Sequence, residues 1–257
     1  MDVSRATLAA FERDQLRRTT LRALPFAWGM AYLDDRFPLR WDSNLLWADA
    51  SLKGVRAADV AAECDRVLGG EGLAHRNLLV EDEDSAQRIA PGLAGMGYEW
   101  DRLVTMVHHR EPARAPTALV DEVDVDTYIP IVREALRPEP YATSQAVIDQ
   151  LTEHRRVLAD IGARFFVAYV EGEAAGRCEL YITEGIAQVE DVGTVPAFRN
   201  RGLGSAVVMR AVAEARAAGA EVVFLNADAD DWPMELYARL GFDELARWSG
   251  FVRAATV

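Results

Sequence analysis

Residues 190–218 constrain the fold most, because they read as a strand, a glycine-containing loop and a helix in immediate succession. Glu190 to Val195 has the alternation and β-branching of a strand, whereas Ser205 to Ala218 repeats apolar residues at helical spacing. The loop between them contains Phe198-Arg199-Asn200-Arg201-Gly202-Leu203-Gly204. The first amides of a helix have no internal acceptor, the helix dipole adds roughly half a positive charge, and glycine lets the backbone approach a ligand. The segment therefore predicts a site for a phosphate group, and above all for a pyrophosphate.

The spacing of the loop excludes two other glycine-rich phosphate sites. A P-loop ends in Gly-Lys-Ser or Gly-Lys-Thr, but here Ser205-Ala206 follows Gly204. A dinucleotide fingerprint needs a third glycine where this chain has Val207. The pattern that remains is Arg-x-x-Gly-x-Gly, which begins at Arg199.

The blocks after the loop extend this pattern. Glu221–Leu225 is typical of a short buried strand, and an acidic loop and a helix beginning at Pro233 follow it. That helix contains Leu236-Tyr237-Ala238-Arg239-Leu240-Gly241-Phe242. Together with the loop, these blocks resemble the GNAT acyltransferase superfamily. The resemblance is close from the loop to Phe242 and looser over the rest of residues 113–257.

The resemblance implies a mixed, twisted α/β sheet with helices on both faces, and acetyl-coenzyme A (acetyl-CoA) as co-substrate. It implies that loop amides hold the pyrophosphate, namely those of Asn200, Arg201, Gly202, Leu203, Gly204 and Ser205. It also implies that the pantetheine arm runs beside the preceding strand, along the main chain of Gly193, Thr194 and Val195. An amide-rich arm suits such a strand edge, because each N–H or C=O there needs a partner.

Tyr237 corresponds, in this resemblance, to the tyrosine that protonates the departing thiolate of coenzyme A. The ordinary phenol pKa, about 10, lies above that of a thiol, so the hydroxyl donates a hydrogen bond readily and a proton at modest cost. The alternative is that Tyr237 is a packed aromatic residue on a short amphipathic helix.

A carboxylate before the loop is the candidate base, because an alkyl ammonium must lose a proton before it can attack. Asp191 lies four residues before Val195, where some small-amine members of the family carry a glutamate, and Glu190 is its neighbour. Since neighbouring strand residues point to opposite faces, we expect at most one of them to face the acceptor, with Asp191 preferred. The alternative for either carboxylate is a salt bridge or a solvated strand end.

The acidic loop departs from the family pattern, which often has an asparagine there that contacts coenzyme A. Asp230 or Asp231 stands at this position. Since an aspartate would repel a phosphate, we expect it to cap the helix at Pro233 or to bind a pantetheine amide. Asn226 is the candidate for the missing amide side chain.

Two domains are expected, 1–112 and 113–257, because prolines interrupt regular structure in Glu111-Pro112-Ala113-Arg114-Ala115-Pro116. The second domain should contain a strand, two helices, a hairpin around Glu171-Gly172 and a strand that enters the loop. The predicted bounds are Thr117–Val125, Thr127–Leu136, Ser144–Asp160, Arg164–Val170, Ala174–Thr183 and Ile186–Val195.

The first domain contains a fainter copy of the end of the second. Leu93-Ala94-Gly95-Met96-Gly97-Tyr98-Glu99 and Leu103–Val107 parallel Ala238–Asp243 and Trp248–Val252 as a helix, a Gly-aromatic pair and a strand. No Arg-x-x-Gly-x-Gly precedes the first copy, so residues 1–112 are interpreted as a degenerate GNAT-like half that has lost coenzyme A binding. A generic α/β or helical cap is the alternative.

The composition indicates an ordinary enzyme rather than a nucleic-acid-binding or membrane protein. The net charge is −13, and residues 115–257 carry 13 basic and 23 acidic side chains, which disfavours nucleic acid and favours a cationic amine. No leader or long apolar run is visible, so we expect a cytoplasmic location. Two cysteines and four scattered histidines show no metal-ligand spacing. An edge strand near the C-terminus offers a surface for a homodimer.

We therefore expect an N-acetyltransferase that moves an acetyl group directly from acetyl-CoA to a primary amine of a small molecule or peptide. Tyr237 is the expected acid, and Asp191 or Glu190 the expected base. Cys178 lies far from the loop and no Gly-x-Ser-x-Gly is present, which disfavours a covalent route. The alternatives are an acyl-CoA sensor without catalysis and an α/β protein whose loop is fortuitous.

Overall fold

The computed structural model describes residues 3–112 and 115–254, which form two compact units. Unit 1 comprises Met1–Phe11, Thr105–Ala227 and Trp232–Leu245. Unit 2 comprises Glu12–Val104, Asp228–Asp231 and Ala246–Val257. Each unit therefore combines segments that are distant in sequence. The predicted boundary after residue 112 falls at Ala113 and Arg114, outside the described residues, and the division into domains 1–112 and 113–257 stays a prediction.

Each unit contains both helices and strands. The helices are α1 (Arg5–Thr19), α2 (Ala57–Cys64), α3 (Glu83–Ala94), α4 (Val125–Leu136), α5 (Gln145–Asp160), α6 (Leu203–Ala217) and α7 (Pro233–Arg239). The strands are β1 (Arg22–Phe26), β2 (Gly29–Leu33), β3 (Leu45–Ala48), β4 (Arg76–Val80), β5 (Glu99–His108), β6 (Val120–Val123), β7 (Arg164–Val170), β8 (Glu173–Thr183), β9 (Ile186–Thr194), β10 (Val222–Asp228) and β11 (Phe242–Arg253). The chain passes from one unit to the other within α1, β5, β10 and β11, and also between Asp231 and Trp232. None of the helices in the described ranges has the length and apolar character needed to cross a bilayer.

In unit 1 the strands lie in the order β10-β9-β8-β7-β6. β9 and β10 are parallel, and the other neighbours are antiparallel. The β7–β8 hairpin turns at Glu171 and Gly172, whose φ angles of +51° and +86° suit a two-residue turn. Asp124 and Ser144 cap α4 and α5 by accepting a first-turn N–H at 2.8 and 3.3 Å. The predicted hairpin and both predicted helices are therefore present, with bounds shifted by at most a few residues.

Strand alternation shows that helices cover both faces of this sheet. Cys178 of β8 donates to the main-chain oxygen of Val207 in α6, at 3.3 Å. Its neighbours Arg177 and Glu179 point the other way, where Glu179 binds Arg155 of α5 at 2.9 Å. An apolar cluster fills the α4–α5 side: Tyr128, Val132, Leu136, Ile148, Phe165 and Val167. The predicted mixed sheet with helices on both faces is confirmed.

Unit 2 repeats this topology. β1, β2 and β3 are antiparallel neighbours, and β3 and β4 are a parallel pair joined by α2, just as α6 joins β9 and β10. α3 leads through Gly97-Tyr98 into β5, as α7 leads through Gly241-Phe242 into β11. The buried core of this unit includes Leu33, Leu46, Leu68, Leu78, Ile89, Leu93 and Phe251. The predicted internal repeat is thus present as a repeat of topology.

Candidate active site

The candidate site begins where the two parallel strands of unit 1 stop pairing. Their register, as far as the structure describes it, ends at the pair Phe224 and Gln188. β9 nevertheless continues to Thr194, and β10 to Asp228. The carboxyl ends of parallel strands are the usual place for a ligand in an α/β sheet.

The loop after β9 leaves the start of α6 without a side-chain cap. The chain turns through Pro196–Phe198, and Asn200 and Gly202 adopt left-handed backbone with φ of +62° and +77°. Gly202 is the N-cap residue, so it has no side chain that could accept a hydrogen bond from the helix. α6 begins at Leu203, slightly earlier than predicted, and the amides of residues 203–205 therefore have no acceptor within the helix. These amides are among those that the resemblance assigns to the pyrophosphate.

Two arginines add positive charge to this loop. Arg199 and Arg201 are both exposed, and the guanidinium of Arg201 lies 5.3 Å from the ring centroid of Phe198. A cation stacked on an aromatic face keeps its charge available to a ligand. The loop is therefore electropositive as well as rich in N–H donors.

Gly204 is the point at which three elements of unit 1 meet. A methyl group at Gly204 would lie 3.4 Å from Thr194 Oγ1, at the end of β9, and 3.8 Å from Leu236 Cδ2, in α7. The end of β9, the first turn of α6 and the helix that carries Tyr237 are therefore neighbours. The sequence predicts each of these elements separately, and the fold brings them together.

The end of β9 offers fewer outward main-chain groups than predicted. The N–H of Val195 donates to the carbonyl of Ala175 at 2.9 Å, so it faces β8. Because main-chain groups alternate along a strand, the N–H of Thr194 points to the opposite side, and that of Gly193 points to β8 like Val195. A contact between the pantetheine arm and the amide of Val195 does not fit this arrangement. The main chain of Thr194 is the better candidate.

Tyr237 is packed inside unit 1. Its side chain is 7% exposed, and its ring meets that of Phe242 edge to face at 6.2 Å. The short helix around it begins at Pro233, as predicted. This packing fits the aromatic-core interpretation, and the role of its hydroxyl as the acid stays a prediction.

Asp191 lies in a bulge of β9. Glu190 pairs with Glu179 and Gly193 with Arg177, so two residues of β9 face a single residue of β8. Asp191 has a φ of +48°, in the left-handed region. Its carboxylate binds Arg177, whose side chain lies on the same face of the sheet as Glu179 and Glu190. The expectation that Glu190 and Asp191 point to opposite faces is therefore wrong, because the bulge turns Asp191 over.

Two arginines hold the carboxylate of Asp191. Arg177 binds both oxygens, at 3.0 and 3.1 Å, Arg155 lies 3.2 Å away, and the hydroxyl of Tyr128 donates at 3.3 Å. Burial acts to raise the pKa of Asp191, but the charges of Arg177 and Arg155 outweigh it and lower the pKa below its ordinary value. A carboxylate with a lowered pKa accepts a proton poorly. The salt-bridge alternative thus fits Asp191 better than the role of base.

Glu179 is a carboxylate that the sequence reasoning missed. It is 1% exposed, and Arg155, at 2.9 Å, and the hydroxyl of Tyr181 both donate to it. Burial raises its pKa, although the charge of Arg155 opposes the shift. Its partner across the strands is Glu190, which is only half-buried and accepts a hydrogen bond from Gln188 at 2.5 Å. Of these two paired carboxylates, Glu190 is therefore the more accessible.

The remaining predicted ligands lie in different units. In unit 1, Thr105 donates to the side-chain oxygen of Asn226 at 2.8 Å, close to where β10 leaves β9. In unit 2, Asp230 binds Arg102 through both carboxylate oxygens, and this pairing lowers its pKa. The N-cap residue of α7 is Trp232, without a side-chain cap, so the prediction that Asp230 caps this helix is wrong. A contact of either side chain with a pantetheine amide stays a prediction.

The family comparison matches the part of the chain that carries this geometry. Residues 129–242 match the model of the acetyltransferase (GNAT) family. Among curated proteins, none matches the chain.

Several solved structures share the fold. A functionally unknown conserved protein from Staphylococcus epidermidis has a TM-score of 0.70 at 17% identity, over 91% of this chain and 94% of the other. A GCN5-related N-acetyltransferase from Kribbella flavida has a TM-score of 0.64 at 18% identity, over 98% and 96%. A tandem GNAT protein from the clavulanic acid biosynthesis pathway has a TM-score of 0.50 at 16% identity, over 78% and 70%. At these identities the likeness establishes the fold alone, here a pair of GNAT-like units.

Proposed function

We propose that this chain, which contains an acetyltransferase (GNAT) domain at residues 129–242, transfers an acetyl group from acetyl-CoA to a primary amine. The observation that best supports this function is the meeting of three elements at Gly204. They are a strand end, an uncapped helix start and the helix that carries Tyr237. An anion site beside a strand edge and a helix that carries a phenol suits the binding of an acyl donor and the departure of its leaving group.

The residues of the loop fit acetyl-CoA. The amides of residues 203–205 and the positive end of α6 suit the pyrophosphate, and the first turn of α6 contains no acidic residue that would repel it. The main chain of Thr194 suits an amide of the pantetheine arm, which would extend the strand edge. When bound, acetyl-CoA supplies an acetyl group already activated as a thioester.

Direct transfer forms a bond between the amine nitrogen and the acetyl carbon and breaks the carbon–sulfur bond of the thioester. One proton leaves the amine, and one reaches the thiolate. We assign the first proton to Glu190, directly or through water, because Asp191 is held ionised by two arginines. We assign the second to the hydroxyl of Tyr237, because a phenol with an ordinary pKa of about 10 is still protonated near pH 7 and can give its proton to a thiolate at modest cost.

The acceptor we propose is the primary amine of a small molecule or a peptide. The acidic balance of residues 115–257 favours a cationic acceptor over nucleic acid or a membrane surface. A cytoplasmic location and a homodimer remain predictions of the sequence.

Calorimetric titration with acetyl-CoA tests the anion site. Ser205→Glu places a carboxylate in the first turn of α6, where it opposes a pyrophosphate without weakening the helix, because acids are favourable at helix starts. Ala146→Glu makes the same charge change at an exposed position in the first turn of α5. We expect the wild type and Ala146→Glu to bind, and Ser205→Glu to bind at least about tenfold more weakly. No binding by the wild type, or equal binding by both variants, contradicts the proposal.

Tyr237→Phe separates an enzyme from a sensor that binds acyl-CoA without transferring the acyl group. The substitution removes the hydroxyl and leaves the ring on Phe242, and Tyr169→Phe is the matched control on the half-exposed surface of β7. With a panel of amines, we expect Tyr237→Phe to lower kcat by about 10²- to 10⁴-fold and to leave the affinity for acetyl-CoA unchanged. A wild type that binds acetyl-CoA but acetylates no amine supports the sensor instead.

A further inference from the structure

The bulge of β9 occupies a position that controls the site. It lies after the last described pair with β10, Gln188 with Phe224, and before Thr194, which packs near Gly204. A bulge bends its strand and redirects the residues that follow. The direction of Thr194, and of the loop after it, therefore depends on the bulge being held.

Asp191 adopts a left-handed backbone conformation that aspartate does not favour by itself. Its φ of +48° is strained for a residue with a side chain, although Asp and Asn tolerate it better than most. Such strain persists where surrounding contacts over-determine it. The contacts come from Arg177 of β8, Arg155 of α5 and Tyr128 of α4, so the carboxylate ties the bulge to three neighbouring elements.

Gly193 is the second part of this arrangement. A methyl group at Gly193 would lie 2.3 Å from a terminal nitrogen of Arg177 and 2.7 Å from its central guanidinium carbon. The side chain of Arg177 thus crosses the main chain of β9 at a residue with no side chain. This crossing lets one guanidinium reach both oxygens of Asp191.

We propose that Asp191 is a positioning residue, which with Arg177 and Gly193 locks the β9 bulge and thereby directs the main chain of Thr194 toward the acyl donor. The cluster of Asp191, Arg177 and Gly193 is called the bulge lock below. This proposal rests on the proposed function, in which the base is Glu190 and Asp191 has no role in proton transfer. The carboxylate stays ionised, so its contribution is geometric rather than proton transfer.

Three variants separate positioning from proton transfer. Asp191→Asn keeps the shape and tolerates the left-handed conformation, but it removes the charge that binds two guanidinium groups. Gly193→Ala leaves Asp191 intact and displaces Arg177 by steric overlap. Gly250→Ala is the matched control, a strand glycine of unit 2 at which a methyl group meets only ordinary contacts of 3.5 Å or more.

Hydrogen exchange of the peptide that spans residues 190–198 measures the lock without any ligand. We expect exchange there to rise at least about tenfold in Asp191→Asn and Gly193→Ala, and to match the wild type in Gly250→Ala. If Asp191→Asn fails to fold, Gly193→Ala still answers the question, and Arg177→Lys provides a milder change of the same contact. Exchange at the wild-type rate in Gly193→Ala and Arg177→Lys overturns the lock.

Binding and pH dependence distinguish the two roles of Asp191. If Asp191 is a positioning residue, Asp191→Asn and Gly193→Ala should both raise the dissociation constant and the KM of acetyl-CoA by about tenfold. The pH profile of kcat/KM should then keep its acid limb, with the same apparent pKa as in the wild type. If Asp191 is the base, Asp191→Asn instead abolishes the acid limb, and Gly193→Ala does not. A wild type that neither binds nor transfers refutes the proposed function, and the exchange measurement then still decides whether the lock exists.

Discussion

Arg155→Met is expected to destabilise unit 1 strongly, because Arg155 neutralises the buried carboxylate of Glu179 and the half-buried carboxylate of Asp191. Its side chain is 12% exposed, that of Glu179 is 2% exposed and that of Asp191 is 23% exposed. Removal of one partner from a buried ion pair costs about 3–5 kcal/mol, since it leaves an uncompensated charge. At about 2–4 °C per kcal/mol for a chain of this size, the melting temperature should fall by about 6–20 °C.

The neighbouring arginine provides the matched control. Arg156 is 49% exposed and pairs with Asp126 and Glu153 on the surface, where ion pairs are screened by water. Arg156→Met should therefore leave the unfolding transition almost unchanged. Circular dichroism or calorimetry is the suitable assay, because five of the six tryptophans belong to unit 2 and their emission reports that unit. Equal melting temperatures for the two variants would refute the reasoning.

The penalty of Arg155→Met should also depend on pH. Burial raises the pKa of Glu179 in the folded state, and loss of the Arg155 charge raises it further. The folded state then binds a proton at pH values where the unfolded chain has released it, so the stability of the variant falls as pH rises through the folded pKa. The difference from wild type should be smaller at about pH 5 than at about pH 8. Asp191, whose pKa is lowered, has the opposite dependence and gives stability above its ordinary pKa that is lost in acid.

Two further outcomes follow from burial and from backbone geometry. Burial raises the pKa of Cys64 to about 12 and that of Cys178 well above its ordinary value. Mass spectrometry should therefore find neither thiol alkylated by iodoacetamide in the folded protein and both thiols alkylated in urea. Alkylation of the folded protein would contradict this packing. Gly241→Ala should abolish soluble expression, because its methyl group would lie 1.7 Å from the main-chain oxygen of Arg110. Gly219 also has a positive φ but lies in open space, so Gly219→Ala should lower the free energy of unfolding, measured by urea titration, by only about 1 kcal/mol.

Local pattern sufficed to predict the elements around the site. The strand, loop and helix at residues 190–218 were predicted within a few residues, because alternation, glycine and helical spacing act on neighbouring residues. The hairpin at Glu171-Gly172 is a local turn of the same kind. The convergence at Gly204 was implied only by the family resemblance, since contacts between distant elements have no signal in a short window.

The bulge and the buried charges lay outside the reach of this reasoning. Nothing in the sequence indicates that Asp191 has a positive φ. Strict alternation along the strand therefore places Asp191 on the wrong face of the sheet. The sequence does contain a signal for the cluster of Arg155, Arg177, Glu179 and Asp191. Arg177 and Glu179 alternate with apolar residues in the second strand of a hairpin, and charges at alternate positions of a buried strand must find partners on the covered face.

The two units show what decides where a function resides in a repeated fold. In unit 2, the carboxylate of Asp59 accepts from the backbone N–H of Arg56 at 3.3 Å, at the start of α2. Arg88 binds carbonyl oxygens of the loop before that helix, at 2.5 and 2.7 Å. The helix start that corresponds to the anion site of unit 1 is therefore already supplied with a negative charge of its own.

In unit 1 the N-cap residue of the corresponding helix is Gly202, which has no side chain that could accept a hydrogen bond, and the first turn contains no acid. Spacing from the shared Gly-aromatic pair also places Leu93 in unit 2 where unit 1 has Tyr237. The same topology thus gives one helix start that carries an acid of its own and one without an acid, whose N–H donors remain for an external anion. This difference of a few side chains gives a physical reason for interpreting unit 2 as the degenerate half. It also predicts that Asp59→Ala alone will not restore acetyl-CoA binding there, because Arg56 and Ala58 stand at the helix start where unit 1 has Gly202 and Gly204, and the preceding loop stays bound to Arg88. Calorimetry on the Ser205→Glu, Asp59→Ala double variant, in which the anion site of unit 1 is disabled, tests this prediction, and recovered binding would show that capping alone closed the second site.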